Sequence, residues 1–399
     1  MRWPKFFKFL KKPQRFAIAI MAYNNLDYFS QVLASVAAQD IGGDDFSSRF
    51  DLFIFQDALQ IRHQDSVAEY EAIKTLSLQH VPQERFIRQA SNIGTGLHFE
   101  FIEENIFDAH GYEFCIFLEH DFVLGTNYLQ AILALHERFE HDERIAAVSG
   151  HSSAYRESLE KQIENLHSYR VMSHDWGAGV FKRTWQKRLP AMRSYYKLLR
   201  GMPFEQRNNV LIQDWMTFMG FVRGSTSQDT IKACVDSGLG LLRLTTYVNL
   251  GTYIGQDGMH WNEQIYKSAG YHETVLFKQP YGHAPILEQE DFFELLAQQC
   301  SSYLRQPMVY SFNEFSKKLI NGNTEIEISP NELSSKTTRE DVIAAYKIFL
   351  GRFPENENVI MDRLGLETIQ ILISFLESEE FISRVDKIIK LKKISIRKK

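Results

Sequence analysis

Apolar runs of strand length alternate with stretches of helical period along the first part of the chain. Residues 16–22 read Phe-Ala-Ile-Ala-Ile-Met-Ala without a polar position, which predicts a strand buried on both faces. In the stretch 28–38, Phe29, Val32, Leu33 and Val36 fall on one side of a helix. A second strand over 50–55 runs out into Gln56 and Asp57. A helix over 66–78, a short strand over 85–89, a loop from Asn92 to Gly96 and a helix over 97–107 follow. The run 114–118 is again strand-like, 128–136 again helical, and 145–150 ends at Gly150. This alternation predicts an α/β fold in which a mostly parallel sheet, flanked by helices, gathers its polar strand ends along one ligand-binding edge. After residue 150 the alternation weakens, and aromatic, glycine-containing loops are expected through about residue 281.

The organisation expected is a basic segment 1–15, a large domain 16–320 with halves 16–150 and 151–320, a linker 321–338, and a small helical unit 339–399. The linker is expected because Asn, Ser, Thr and Glu replace apolar residues there. The terminal unit carries Tyr346, Leu350-Gly-Arg352, Pro354 and Ser378-Glu-Glu-Phe381. It resembles a bacterial helical repeat module often appended to cell-surface or glycan-related proteins, which implies an interaction role.

One strand end stands out chemically. The apolar run 114–118 stops at Glu119, His120 and Asp121, two acids flanking one residue where open α/β sheets bind ligands. Hard divalent cations take carboxylate oxygens and keep positions open for phosphate, so this pair suits a cation holding a diphosphate. A solvated turn is the alternative reading of an isolated acid-x-acid.

Composition narrows the classes. The 399 residues are 44% hydrophobic and 24% charged, ordinary globular content. A net charge of −5 argues against a general nucleic-acid binder. Three widely separated cysteines, Cys115, Cys234 and Cys300, predict buried reduced thiols without a zinc site. No apolar stretch reaches the length of a membrane span, and Lys5, Lys8, Lys11 and Lys12 interrupt any signal-peptide core, so a cytoplasmic protein is expected.

Three further segments, Ser173-His-Asp-Trp-Gly-Ala-Gly-Val180, Ile212-Gln-Asp-Trp-Met-Thr217 and the stretch from Arg243 to Gly258, complete a recognisable order. Over roughly 16–277 the chain resembles N-acetylglucosaminyltransferase I and its relatives, inverting enzymes of the GT-A fold. The resemblance implies transfer of a sugar from a nucleotide-sugar to a glycan or lipid-linked glycan, with Mn2+ or Mg2+. Asp121 then corresponds to the family's metal-binding acid, Glu119 to a donor-sugar contact and His120 to a ribose contact, where the family has aspartate. Asp214, directly before Trp215-Met216, matches the catalytic base; its residue type also suits a helix N-cap. Asp57 matches the aspartate that binds uracil, which implies a UDP donor. Gln213 replaces a family tryptophan. Ala22, Tyr23 and Asn24 stand where the family carries a phosphate-binding arginine, and resemble the tyrosine-asparagine loop of bacterial family 2 glycosyltransferases. Asn92, Gly177, Ala178, Gly179 and Trp215 complete the expected donor contacts, the glycines through close backbone approach or simply as a tight turn. Many GT-A enzymes add a late histidine to the metal; His260 is the first candidate, ahead of His174 and His283.

A sugar-phosphate nucleotidyltransferase would need a Gly-rich, Arg-containing loop after the first strand, and a dinucleotide oxidoreductase a G-x-G-x-x-G; neither is present. A non-catalytic glycan-binding protein is the remaining alternative. Residues 1–12 combine five cations with Trp3, Phe6, Phe7, Phe9 and Leu10, and the last residues add a second basic tail. Each cation near an anionic surface contributes about 1 kcal/mol, which suits peripheral attachment to the inner membrane face. In flotation assays the full chain is expected to rise with anionic but not neutral liposomes at low salt, and a chain beginning at Gln14 is expected to stay behind. Equal behaviour of the two chains would remove the membrane proposal.

Overall fold

The computed structural model describes residues 15–60, 66–202, 206–257, 262–305, 336–350, 352–366, 370–371, 374–375 and 378–380. Strands β1 (Phe16–Ala22), β2 (Phe50–Gln56), β3 (Phe86–Arg88), β4 (Phe114–Glu119), β6 (Ile145–Ser149), β7 (Tyr169–Val171), β8 (Ala178–Phe181) and β9 (Leu242–Thr246) form one sheet. Their order is β3-β2-β1-β4-β8-β6-β9-β7. Strands β8 and β7 run antiparallel to their neighbours and the other pairings are parallel. A separate antiparallel ribbon joins β5 (Phe122–Leu124) to β10 (Gly251–Tyr253).

Every residue of β1 is buried, as its lack of polar positions requires. Its alternate side chains serve two cores: Phe16, Ile18, Ile20 and Ala22 enter one, Ala17, Ala19 and Met21 the other. The helix Leu26–Ala37 closes the first face with Tyr28, Phe29, Val32, Leu33 and Val36, and begins at Asn25, whose side chain accepts the Tyr28 N–H at 2.9 Å. The helix Val67–His80 is capped by Ser66. The helix Gly94–Glu104 and the following π-helical turn Asn105–Ala109 lay Phe99, Ile102, Ile106 and Phe107 on the second face.

The expectation of loops after residue 150 is not met. Helices Lys182–Leu199, Asn209–Phe218 and Gln228–Gly238 occupy that stretch, and β7, β8 and β9 extend the same sheet. The period is hard to see because the buried side of Lys182–Leu199 includes Thr184, Arg188, Tyr195 and Tyr196 alongside its aliphatics, with Pro190 inside the helix. Strands β7 and β8 are short.

The predicted linker overlaps the helical unit it was expected to precede. Residues 321–335 lie outside the described part, but Thr337 is buried, with its hydroxyl donating to the Arg363 and Leu366 carbonyls at 3.0 and 2.7 Å. Thr338 and Asp341 form a capping box for the helix Arg339–Ala345. Val342, Ile343, Tyr346, Ile360, Ile371 and Phe375 build a small core of their own. The basic segment 1–14 and the tail 381–399 lie outside the described residues. Among the described residues no helix is long and apolar enough to cross a membrane. Cys115, Cys234 and Cys300 are buried free thiols, as expected.

Three helices and β9 meet in a buried ionic network. Arg188 pairs with Glu103 at 2.9 Å and with Asp236 at 3.4 Å, and Lys232 reaches the same Glu103 at 2.8 Å. Arg243 pairs with Asp175 and lies 3.8 Å from Asp236. Burial alone would push the Glu103 carboxyl up, but Lys232 and Arg188 together hold it below the usual range. Removing one partner of such a set strands the others away from water. Arg188→Ala is therefore expected to lower unfolding stability by about 3–5 kcal/mol in equilibrium denaturation. A loss below about 1 kcal/mol, the level of an exposed ion pair, would show that water reaches the network.

Candidate active site

The chain leaves β1 toward β2 and β3 on one side and returns to place β4 on the other, so the loops after β1 and β4 part between them. Such a switch point opens a crevice at the carboxyl ends of the strands. Tyr23 and Asn24 follow β1, Asp57 follows β2, and Glu119 ends β4 opposite Met21. The structure thus gathers these predicted residues along one edge.

Asp121 sits where the chain turns from β4 into β5. The antiparallel register of Tyr253 with Phe122 brings the end of β10 over it, and the Ile254 N–H donates to the Asp121 carbonyl at 2.8 Å. The Tyr253 hydroxyl donates to the Asp121 carboxylate. Asp121 Oδ1 is buried without a hydrogen-bond partner. Burial raises the Glu119 carboxyl well above its ordinary range, reinforced by the charges of Asp121 and Asp229 and opposed by Lys232. Burial also raises Asp121, against the opposing effects of His120 and Tyr253.

These groups fit a divalent cation. Among the described residues no three His, Cys, Asp or Glu side chains group as a metal cage. An unpartnered carboxylate oxygen beside a second acid instead matches a cation that takes most of its ligands from phosphate and water. His260 lies outside the described residues. His174 is stacked on Trp176, and His283 is exposed.

Asp57 has a defined task in the fold. Its carboxylate accepts the N–H groups of Ala58 and Ile93 on Oδ1, at 2.9 and 3.1 Å, and that of Gly94 on Oδ2 at 2.9 Å. Burial nevertheless pushes it up to about 6. Asn92 donates to the Ala58 carbonyl at 2.8 Å, so the loops after β2 and β3 are tied together. Tyr23 joins them: its hydroxyl accepts the Gln60 N–H at 3.0 Å, while Gln56 donates to its carbonyl at 2.8 Å. Ala22 is buried, and its carbonyl accepts the Asp57 N–H at 3.2 Å.

Several expected donor contacts are occupied by packing. A Cβ on Gly177, whose φ is +67°, would lie 2.2 Å from the Tyr128 hydroxyl oxygen, and one on Gly179 would lie 2.3 Å from Phe114 Cζ. Both glycines therefore make room for core rings rather than for a ligand, and Ala178 is buried between them. Trp215 donates its indole N–H to the Ser194 hydroxyl at 3.1 Å and packs against Tyr195 and Phe221.

Asp214 is not the N-cap of its helix. Asn208 caps it, accepting the Leu211 N–H at 3.0 Å. Asp214 lies mid-helix, with its side chain 59% exposed and 3.3 Å from Arg223. Gln213 turns the same way, donating to the Gly224 carbonyl at 3.2 Å.

Asp229 lies in the first turn of the helix Gln228–Gly238; its charge adds to the upward shift of Glu119 and opposes the downward shift of His174. The buried Arg243 donates to its backbone carbonyl at 3.3 Å. In sequence Asp229 carries no distinguishing mark, because an acid in a first helical turn is ordinary dipole chemistry.

No protein-family model matches the chain. No curated protein matches it either. Solved glycosyltransferase structures show distant similarity. S. aureus TarS matches at 11% identity and a TM-score of 0.37, over 87% of this chain and 50% of TarS, so the chain spans half the length of that structure. The mannosyltransferase PcManGT from Pyrobaculum calidifontis, solved with GDP-Man and Mn2+, matches at 11% identity and 0.36, over 79% of this chain and 77% of its own. GalNAc-T7, solved with UDP, GalNAc and Mn2+, matches at 8% and 0.38, over 63% and 46%.

Proposed function

We propose that this chain is a GT-A-type glycosyltransferase that moves a sugar, with inversion, from a nucleotide-sugar to an acceptor hydroxyl. The observation that carries the reading is the acid pair Glu119 and Asp121 at the switch-point edge, with one Asp121 oxygen unpartnered and Asp229 acting on the same ground. Asp121 would hold a divalent cation, Mn2+ or Mg2+, with Glu119 beside it. When bound, the cation neutralises charge developing on the departing nucleoside diphosphate. Tyr23, Asn24 and the loop held by Asp57 border the space for the nucleotide. Asp57 Oδ2, which accepts the Gly94 N–H, keeps a second lone pair that can accept a base N–H, and UDP is the donor nucleotide proposed.

Inversion needs one carboxylate to take the proton of the attacking hydroxyl, on the side away from the breaking bond to the diphosphate. Asp229, whose charge reaches Glu119, is the carboxylate proposed for this role. Asp214, which the family resemblance selects, is the second reading, but its pairing with Arg223 on an exposed helix face favours Asp229. A glycan or lipid-linked glycan is proposed as acceptor, with the enzyme at the inner membrane face and the terminal helical unit as an interaction module. A non-catalytic binding protein would share the nucleotide site without turning donor over.

Calorimetry of UDP with Mn2+ should show binding that Asp121→Ala abolishes; undiminished cation-dependent binding would sink the metal assignment. Donor hydrolysis, with water as acceptor, should fall roughly 10²- to 10⁴-fold in Asp229→Asn with nucleotide affinity nearly unchanged, and should persist in Asp214→Asn. The reverse result would return the base to Asp214.

A pH test follows from the raised carboxyls of Glu119 and Asp121. Protons held by the ligand-free pair must leave before a cation enters. Mn2+-dependent UDP binding is therefore expected to tighten as pH climbs through and above the ordinary carboxylate range. A flat profile between pH 5 and about 8 would contradict cation binding at these acids.

A further inference from the structure

We propose that Tyr253 is a positioning residue for the acid edge: its hydroxyl holds the Asp121 carboxylate, and its ring is clamped in a parallel stack with Trp176 and His174. The inference rests on the cation role of Asp121 proposed above. Tyr253 and Trp176 lie with ring centroids 4.0 Å apart and planes 2° from parallel. Trp176 in turn stacks on His174 at 4.1 Å and 10°. Tyr271 presents its edge to both Trp176 and Tyr253, at 5.5 and 5.2 Å and 70° in each case. The far end of the stack, His174, is the ring on which the Asp229 charge acts. Three stacked rings thus run from the Asp121 carboxylate through Tyr253 and Trp176 to His174.

The clamp is closed on its remaining sides. Tyr266 donates its hydroxyl to the Tyr253 carbonyl at 2.9 Å. A Cβ on Gly255 would lie 2.4 Å from the Tyr253 hydroxyl oxygen and 2.5 Å from Asp121 Oδ2, so the backbone after β10 presses directly on the pair. Tyr253 is 4% exposed and Trp176 8% exposed, so neither ring offers a surface for a sugar. A buried tyrosine hydroxyl needs a partner, and a carboxylate is a strong one. With Tyr253 engaging the carboxylate from one side, the unpartnered Oδ1 is left for a cation. Hydrogen-bond partners of this kind fix a ligand's orientation, and losing one typically weakens metal affinity 10- to 100-fold.

The test is titration of Mn2+ by electron paramagnetic resonance in the presence of UDP, on the full chain and on Tyr253→Phe, Trp176→Phe and Asp121→Ala. Tyr253→Phe keeps the ring and removes only the hydroxyl. It is expected to weaken Mn2+ binding roughly 10- to 100-fold while the melting temperature changes little, a split that a purely structural role would not give. Trp176→Phe, which shortens the stack, is expected to produce a smaller loss in the same direction. Mn2+ affinity within twofold of wild type in folded Tyr253→Phe would overturn the inference. Should that variant not fold, wild-type affinity in Trp176→Phe would overturn it equally. Wild-type affinity in Asp121→Ala would bring down the cation reading itself, a failure distinguishable from that of Tyr253 alone.

Discussion

Arg188, Lys232 and Arg243 are removed from water together with Glu103, Asp175 and Asp236, and the site half of the molecule is arranged around keeping them paired. A buried charge is tolerated only when its partners and hydrogen bonds are in place, so each member restricts the others. The helices Gly94–Glu104, Lys182–Leu199 and Gln228–Gly238 and strand β9 all contribute, which leaves little freedom to slide one against another. Asp229, Lys232 and Asp236 recur at helical spacing on one side of the Gln228–Gly238 helix. The residues that lock that helix into the network therefore also set where Asp229 points.

The network reaches the acid edge electrically as well as mechanically. Lys232 pairs with Glu103 and also opposes the upward shift of Glu119. Burial nevertheless raises both Glu119 and Asp121, and for Glu119 the Asp121 charge adds to it. Under the cation role proposed for Asp121, such a pair would exchange protons for metal, and the loss of water that raises the carboxyls would also strengthen their attraction for the incoming charge.

The parts legible in the sequence were those where one local pattern had one structural outcome. The unbroken apolar run before Glu119 could only be a strand buried on both faces, and its acidic end could only lie at a sheet edge. Asn25 and Ser66, by contrast, declare themselves as caps only beside an established helix. The second half was obscure because Arg188, Tyr195 and Tyr196 are buried through tertiary pairing that local hydropathy does not register. Gly177 and Gly179 misled for a related reason: a glycine pressed by Tyr128 or Phe114 looks, in one dimension, like a glycine pressed by a ligand. Asp229 is inconspicuous in sequence because its charge meets Glu119 only through tertiary structure, whereas its local setting is an unremarkable helix start.

The helical unit near the C-terminus obeys the same rule of pairing what is buried. Lys347 leaves that unit to donate to the Met219 carbonyl at 2.6 Å, at the end of the helix Asn209–Phe218, with Phe221 and Phe353 rings 4.4 and 4.1 Å from its ammonium. Burial depresses it well below the ordinary lysine range. A helix C-terminus carries partial negative charge and unsatisfied carbonyls, which together with the aromatic faces offset part of the cost of burying this amine. Phe353 also packs against the main core, and Arg339 stacks over Phe218 at 4.0 Å. The unit is thus seated on the end of the helix that carries Asp214.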